Sequence, residues 1–333
     1  MKIRKAITFR ASSIGDCLMA KYLLENIHAE FPQARCAIVV ASRAKMIKDL
    51  FAAYPWIEVI EVNRRKPSSV MKLWREYRGS DLVVTQYSGK RGGKFGLASK
   101  LIARFLARRD GLIGFNDISI WNKLLFSKIL PVRSDQAVAW HEREILKAAG
   151  VPVSKPVPTM VFVKDAQVLD RFSLKSGKFI IVHLFAGNAG RGMHPDKKRE
   201  LLATLAKRNP EIKIIVSGGV SDKQEALRVS NNLPVLVVAG EVTLQELMNL
   251  ISESSGVVSL DTGVAHLTAQ LGRLLVILRT CLAPNWWFSE QYGPNAPITV
   301  FSHDEACADE HTYKDYPDCI NNISMEAVVD AIK

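Results

Sequence analysis

The stretch Ser-Leu-Asp-Thr-Gly-Val-Ala-His at residues 259–266 decides the fold. Apolar residues precede it at 256–258 and small residues follow it at 267–272, which predicts a strand, a tight turn and a helix in succession. The N–H groups at the start of such a helix attract anions, and a carboxylate, a hydroxyl and an imidazole stand beside them. The stretch therefore predicts a site for an anionic ligand that carries sugar hydroxyls. The residues assigned to this site are Asp261, Thr262, Gly263 and His266.

The same alternation of strand and helix runs through the rest of the chain. Its strands are short, continuous apolar runs, which indicates parallel sheets covered on both faces and therefore the α/β class. The predicted strands are 6–9, 37–40, 59–62, 81–85, 179–184, 212–216, 235–238, 256–260 and 274–278. The predicted helices are 16–31, 44–54, 195–209, 222–232, 243–253, 263–272 and a last one at 324–333, with Ser324 as its N-cap.

A proline-rich segment divides the chain. Residues 151–158 hold three prolines and read as an extended linker, and 333 residues are too many for one ordinary core. We therefore predict two Rossmann-like domains with a cleft between them. The predicted boundaries are 1–152 for the N-terminal domain, 159–322 for the C-terminal domain and 323–333 for a C-terminal helix.

Composition narrows the class of protein. No apolar run reaches 18 residues, and the first residues lack the apolar core of a signal peptide, so we expect neither a spanning helix nor a leader. The five cysteines are odd in number and scattered, which suits a reducing cytosol better than a disulfide framework.

Two hydroxyls and a carboxylate follow the first predicted strand, in the sequence Arg-Ala-Ser-Ser-Ile-Gly-Asp at 10–16. In parallel sheets, ligands bind where strands end and loops enter helices. Asp16 could act there as a general base that accepts the proton of an attacking sugar hydroxyl. The alternative is that Asp16 only caps the helix.

Two loops in the C-terminal half also follow predicted strands and hold residues that could bind a ligand. Residues 183–192 hold three glycines and Arg191 between a strand and a helix, which suits a pyrophosphate, although the glycines could equally serve only a flexible turn. Asp222 ends the loop after the next strand and could bind ribose hydroxyls or cap a helix.

Positive charge is concentrated in residues 64–109. This segment holds thirteen Lys and Arg residues and two acidic ones, and the formal net charge of the whole chain is +12. Such a block attracts phosphates of nucleic acid or anionic lipid, or it is a solvated surface. Lys90, Arg91 and Lys94 lead into a predicted amphipathic basic helix at 95–109, which either contacts a phosphorylated lipid or packs on the core with a basic outer face.

Other groups leave alternatives open. The Asp-Thr-Gly triplet also occurs in aspartic proteases, but there it is paired within all-β lobes, and here it stands once in an α/β pattern.

His303, Cys307, His311 and Cys319 could bind a metal, but their spacing is not a recognised zinc pattern and acidic residues between them favour an exposed loop. We therefore assign no metal ligand. Trp286 and Trp287 could stack on the adenine or pack at the domain interface.

The chain resembles the heptosyltransferases, glycosyltransferases that transfer heptose from ADP-heptose to the lipopolysaccharide core. The resemblance covers most of the chain. It rests on the motif at 12–16 with its helix, the loop at 183–195, residues 239–247 and the Asp-Thr-Gly-Val-Ala-His motif at 261–266. The family usually has Lys-x-Trp-Pro where this chain reads Arg-Gly-Met-His-Pro at 191–195, so Arg191 would stand in for that lysine.

The resemblance implies the GT-B fold, no cofactor, and an inverting transfer without a metal ion. Asp16 would be the base and the N-terminal domain would bind the acceptor, a phosphorylated glycolipid. The acceptor residues would be Ser12, Ser13, Lys90, Arg91 and Lys94. The C-terminal domain would bind the donor. The donor residues would be Ala186, Gly187, Arg191, Asp222, Asp261, Thr262, Gly263 and His266.

The residues also support a metal-free reaction directly, because the chain has no Asp-x-Asp triplet to hold a divalent ion on a diphosphate. We expect a cytoplasmic enzyme in peripheral contact with the anionic inner face of the bacterial inner membrane. The alternatives are the same fold with another nucleotide sugar or a protein acceptor, a catalytically silent binding module, and a basic nucleic-acid-binding protein. The last is disfavoured because aromatic residues are not interleaved with the Lys/Arg cluster.

Overall fold

A computed structural model of the chain describes residues 2–63, 65–85, 97–116, 121–165, 167–187, 189–282, 284–307 and 316–332. The chain forms two compact units. The first comprises Met1–Pro158 and Phe288–Gly293, and the second comprises Thr159–Trp287 and Pro294–Lys333. The domain boundaries proposed from the sequence, and the roles assigned to the domains, stay predictions.

The first unit is a parallel sheet with helices on it. Its strands are β1 (Lys5–Phe9), β2 (Arg35–Val40), β3 (Ile57–Glu61), β4 (Leu82–Thr85), β5 (Leu112–Phe115) and β6 (Lys128–Leu130). Its helices are α1 (Ile14–Glu30), α2 (Ala44–Leu50), α3 (Pro67–Tyr77), α4 (Leu97–Leu106), α5 (Asn122–Leu125) and α6 (Val138–Ala148). Within the described ranges the strand order is β3-β2-β1-β4-β5-β6.

Helix α1 is the central helix of this unit and is buried along most of its length. The hydroxyl of Ser13 caps it by accepting a hydrogen bond from the Asp16 N–H. Even a lysine is buried inside: the Lys21 ammonium is fully covered and lies 3.0 Å from the Glu25 carboxylate, which supplies the countercharge that a buried cation needs. This packing holds the start of α1, with Asp16 on its first turn, at the end of β1.

The second unit repeats the same plan. Its strands are β7 (Phe179–His183), β8 (Lys213–Val216), β9 (Val235–Val237), β10 (Gly256–Leu260), β11 (Leu275–Leu278) and β12 (Ile298–Phe301). Its helices are α7 (Gln167–Arg171), α8 (Pro195–Arg208), α9 (Lys223–Val229), α10 (Leu244–Glu253), α11 (Gly263–Gln270), α12 (Asp318–Asn321) and α13 (Met325–Asp330). For the residues that are described, the order is β12-β11-β10-β7-β8-β9.

Both sheets have the doubly wound order 3-2-1-4-5-6 when their strands are counted from the start of each unit. In this order the chain winds first to one side of the first strand and then to the other. The point of reversal lies between β1 and β4 in the first unit and between β7 and β10 in the second. Loops that leave the sheet there splay to opposite faces and open a crevice for ligands.

The sequence predictions agree with the observed elements in type and order. Every predicted strand is present, and the helix at 16–31 is observed at Ile14–Glu30. The last helix is shorter than predicted, but Ser324 caps it as expected through the Ala327 N–H. Strands β5, β6 and β12 were not predicted.

Among the described residues, no helix combines the length and the apolar character that crossing a bilayer requires.

Candidate functional site

The candidate site of the second unit lies at its point of strand reversal. Strands β7 and β10 are paired in parallel, with His183 beside Ser259 at their carboxyl ends. The loop after β7 carries Arg191, and the turn after β10 carries Asp261. Because the two strands are paired, the loop and the turn begin next to each other. Their side chains meet, since an Arg191 guanidinium nitrogen lies 3.8 Å from an Asp261 carboxylate oxygen.

Asp261 is the buried charge of this site, with 4% of its surface exposed. Its Oδ1 accepts a 2.9 Å hydrogen bond from the Trp287 indole N–H. Its Oδ2 is buried and has no hydrogen-bond partner among the described residues. A buried carboxylate oxygen without a donor is costly, and a ligand hydroxyl or N–H could satisfy it.

His266 lies one turn into α11 against the same carboxylate. Its ring stacks on the Trp287 indole with the ring centres 4.4 Å apart and the planes 9° from parallel. Burial lowers the pKa of the His266 imidazole to about 4; the Asp261 carboxylate opposes this shift and the Arg191 guanidinium adds to it. The ring is therefore neutral at pH 7, and its 4.0 Å contact with Asp261 is not an ion pair.

The start of α11 is open to an anion. Thr262 is the N-cap and has an extended backbone (φ −138°, ψ 176°), but its side chain makes no capping hydrogen bond. Its hydroxyl lies 3.3 Å from that of Ser259 instead. Gly263 is the first helical residue, and the N–H groups of this first turn have no acceptor within the helix. The helix dipole adds partial positive charge at the same end.

The loop after β7 presents small residues and one cation. Ala186 packs partly against the core of the unit. Gly187 is exposed, and a Cβ there would meet no heavy atom within 4 Å, so its backbone is accessible to a ligand. Arg191 ends a short 3-10 turn, with 42% of its side chain exposed. A guanidinium held between solvent and a buried carboxylate can move onto a phosphate.

The Asp222 side chain makes its hydrogen bonds within its own loop. Its Oδ2 accepts a 2.8 Å hydrogen bond from the Gly219 N–H, and its Oδ1 accepts one from the Ser221 hydroxyl. This arrangement caps the turn that precedes α9. Asp222 is the N-cap residue of α9, but its side chain makes no capping hydrogen bond to that helix, and ribose binding stays a prediction.

In the first unit, the loop after β1 leads into α1. The Ser13 hydroxyl donates a 2.5 Å hydrogen bond to Asp16 Oδ2, in addition to capping the helix. The Ser12 hydroxyl accepts a hydrogen bond from the Ser42 N–H and ties this loop to the one after β2. Asp16 is partly exposed, so a substrate hydroxyl can approach its carboxylate.

A buried ion pair, which sequence reasoning missed, supports this loop. Arg10 follows β1 directly, and its guanidinium donates a 2.8 Å hydrogen bond to Glu142 of α6. The two side chains are 1% and 0% exposed. Burial raises the pKa of Glu142, Arg10 opposes that shift, and the charge of Asp16 adds to it. The charge of Asp16 therefore acts on Glu142. The two residues are 126 positions apart in the chain, so no local sequence pattern predicts this interaction.

Some of the predicted residues lie outside the described ranges, and others contact residues that the sequence analysis did not predict. Lys90, Arg91, Lys94 and His311 lie outside the described residues. His303 contacts Glu305 at 2.7 Å. Cys307 and Cys319 do come together, but with Cys281, which the sequence analysis did not include. Trp287, left between stacking and packing, donates to Asp261 and stacks on His266.

Comparisons with known proteins bear on the whole chain. The model of glycosyltransferase family 9 (heptosyltransferase) matches residues 172–316. Lipooligosaccharide heptosyltransferase 2 of Haemophilus influenzae is 24% identical over 307 residues, which cover 86% of this chain and 82% of that protein.

Two solved structures share the fold over nearly their full lengths. A glycosyl transferase family 9 protein from Veillonella parvula has a TM-score of 0.75 at 16% identity, covering 99% of this chain and 97% of its own. The ADP-heptose lps heptosyltransferase II of E. coli has a TM-score of 0.74 at 17% identity, covering 98% and 97%.

Residues 172–316 match glycosyltransferase family 9, and the chain is a glycosyltransferase. The resemblance drawn from the sequence motifs is confirmed. The α/β GT-B class is confirmed as well, by the two doubly wound sheets and by the solved structures that share them.

The buried histidine provides a test of this site. In an NMR titration of the full chain, the His266 ring should stay neutral until the pH approaches 4. Because the unfolded chain takes up this proton near pH 6.5, the shift lowers stability progressively as the pH falls from about 6.5 to about 4. Protonation of His266 near pH 6.5 would contradict the buried, stacked geometry.

Proposed function

We propose that this glycosyltransferase transfers heptose from ADP-heptose to the inner core of lipopolysaccharide, with inversion at the anomeric carbon and without a metal ion. One observation carries the proposal. A buried carboxylate, a neutral imidazole and a partly exposed cation converge at the strand reversal of the second unit, beside a helix start whose N-cap side chain makes no capping hydrogen bond. The similarity to the lipooligosaccharide heptosyltransferase 2 of Haemophilus influenzae and to the ADP-heptose lps heptosyltransferase II of E. coli supports the donor and the acceptor.

The donor would bind in the second unit. Its diphosphate would accept hydrogen bonds from the first N–H groups of α11, where Thr262 and Gly263 leave the helix end open. The exposed backbone at Ala186 and Gly187 would line the other side. Asp261 Oδ2, which lacks a donor among the described residues, would accept a hydrogen bond from a donor hydroxyl. Asp222 is assigned to the ribose hydroxyls on position alone.

The leaving group would be stabilised without a divalent ion. As the glycosidic bond breaks, negative charge develops on the diphosphate. Arg191 is close enough to Asp261 to be held in place, and exposed enough to turn toward that charge. The α11 dipole acts in the same direction. His266 remains neutral at pH 7 and so can accept or donate one hydrogen bond without adding charge.

Asp16 would be the general base in the first unit. The attacking sugar hydroxyl loses its proton to the Asp16 carboxylate as its oxygen bonds to the anomeric carbon and the carbon–phosphate-oxygen bond breaks. A single displacement with no covalent intermediate inverts that carbon. The Ser13 hydroxyl orients the carboxylate, and the buried Arg10–Glu142 pair supports the loop behind it. Ser12, Ser13, Lys90, Arg91 and Lys94 are proposed to bind the acceptor.

Peripheral contact with an anionic membrane is supported by helices α3 and α4. An apolar groove of about 500 Å³ runs between them and is lined by Met71, Trp74 and Phe105 among others. Phe105 is 72% exposed and Met71 is 50% exposed. Helices α3 and α4 and the residues just after them also carry exposed basic side chains. They are Lys72, Arg75, Arg78, Arg108, which pairs with Asp81, and Arg109.

This combination of apolar and basic groups matches an anionic lipid surface, because the aromatic and thioether side chains can enter the acyl boundary while the cations meet headgroups. Helix α4 also packs on the core: Ala103 and Leu106 are buried, and so is Lys100, whose ammonium donates to Asn122. Of the two roles that its pattern allowed, packing on the core is observed, with Lys100 pointing inward, and contact with a lipid is proposed. We propose that the enzyme acts in the cytoplasm at the inner face of the bacterial inner membrane.

Replacing the proposed base gives the sharpest test of the reaction. Asp16→Asn should lower the rate of heptose transfer from ADP-heptose to a heptose-free core acceptor by at least about a hundredfold, because the proton of the attacking hydroxyl loses its acceptor. The affinity for ADP, measured by calorimetry, should stay unchanged.

Glu326→Gln is the matched control, since Glu326 is likewise an acidic residue in the first turn of a serine-capped helix, far from either loop in sequence. It should leave turnover unchanged. If Asp16→Asn instead kept near-normal turnover and only lowered the melting temperature, Asp16 would be a helix-capping residue and not the base.

Membrane contact is tested with lipid vesicles. The double variant Met71→Ser, Phe105→Ser should lower co-sedimentation with phosphatidylglycerol vesicles at least about fivefold, because it removes the exposed apolar groups of the groove. Leu227→Ser, which removes a 52% exposed leucine of the second unit, should bind as the wild type does. Equal binding of the groove variant and the wild type would show that this surface is not the contact.

A further inference from the structure

Three cysteines of the second unit converge although they are far apart in sequence. Cys281 lies on the loop after β11, Cys307 ends a 3-10 turn after β12, and Cys319 belongs to α12. Their three Sγ atoms all lie within 4.8 Å of one another. The cluster stands at the carboxyl ends of two adjacent parallel strands, because β11 and β12 are paired.

The arrangement has the features of a built site. In a tetrahedral zinc site with Zn–S bonds near 2.3 Å, the sulfur atoms stand about 3.8 Å apart, which the observed cluster approaches. The Cys319 N–H donates a hydrogen bond to Cys307 Sγ at 3.2 Å, a contact that favours a thiolate at that sulfur. Cys319 itself is fully buried. None of the five cysteines, all of which are described, forms a disulfide.

We propose that Cys281, Cys307 and Cys319 bind one thiophilic metal ion, with Zn²⁺ as the expected occupant. Three soft sulfur ligands favour zinc or iron over magnesium, calcium or manganese, which prefer oxygen. A disulfide would use two of the sulfurs and leave the third beside it unused. A metal ion uses all three.

The site would act by positioning the neighbouring loop. Cys281 and Trp287 belong to the same segment, six positions apart. Trp287 donates to Asp261 and stacks on His266, so its loop has to be held in place. The same two strand ends are already joined by Arg279, whose guanidinium donates to Ser302 and to Asp304 at 2.8 and 2.7 Å. A metal ion bound by the three cysteines would complete this cross-link without touching a substrate.

The test is the metal content of the full chain, produced without a metal-binding tag and purified under reducing conditions. Elemental analysis should find about one zinc or iron ion per chain after dialysis against metal-free buffer. X-ray absorption of the metal-loaded protein should show three sulfur neighbours at about 2.3 Å and one lighter atom. Zinc alone and iron alone, added to chelator-stripped protein, separate the two occupants.

Cys281→Ser is the first variant, because Cys281 is the least buried of the three, and it should reduce bound metal to less than about one fifth. Cys36→Ser, which removes a buried thiol of the first unit, is the matched control and should retain the metal. Where the variants fold poorly, the metal content of the wild-type chain still decides. Less than about one tenth of an ion per chain, both as purified and after zinc addition, would overturn the proposal, as would a disulfide between any two of these cysteines in the reduced preparation.

Discussion

The buried carboxylate of Asp261 is the constraint around which the second unit is organised. A charge with 4% exposure needs donors, and the chain supplies them from different loops. Trp287 gives the hydrogen bond, Arg191 gives a nearby cation, and His266 is fixed by its stack on the same indole. Loss of the indole N–H would remove the hydrogen bond to this buried carboxylate at a cost of about 1–3 kcal/mol. The loops after β7, β10 and β11 are therefore coupled through one side chain.

The Asp261 carboxylate and the Asp16 carboxylate of the first unit have different surroundings. Asp16 is partly exposed and accepts a hydrogen bond from a serine hydroxyl on its own helix turn. Asp261 is enclosed and bound by an indole. Two carboxylates in different surroundings can have different roles, one accepting a proton and the other holding a ligand in place. The division of roles proposed for this glycosyltransferase follows from that contrast, with the base at the accessible group.

Much of the fold was predictable because its signals are local. Apolar runs and helix periodicity gave the order of elements, and Ser-x-x-Asp at 13–16 and Asp-Thr-Gly at 261–263 marked two loops that the strand order places at reversal points. Contacts between distant segments were not predictable. Glu142 pairs with Arg10 from another helix, and Cys281 joins Cys307 and Cys319 from another loop. The role of Trp287 stayed open in the sequence because no pattern there reveals which buried oxygen an indole N–H will contact.

A crystal structure of the full chain with ADP tests the central claim most directly, namely that the helix start beside Asp261 holds the donor diphosphate. The account predicts diphosphate oxygens within about 3 Å of the first backbone N–H groups of α11, with the Arg191 guanidinium turned from Asp261 toward them. A diphosphate bound away from both the 184–191 loop and the 261–266 turn would contradict it.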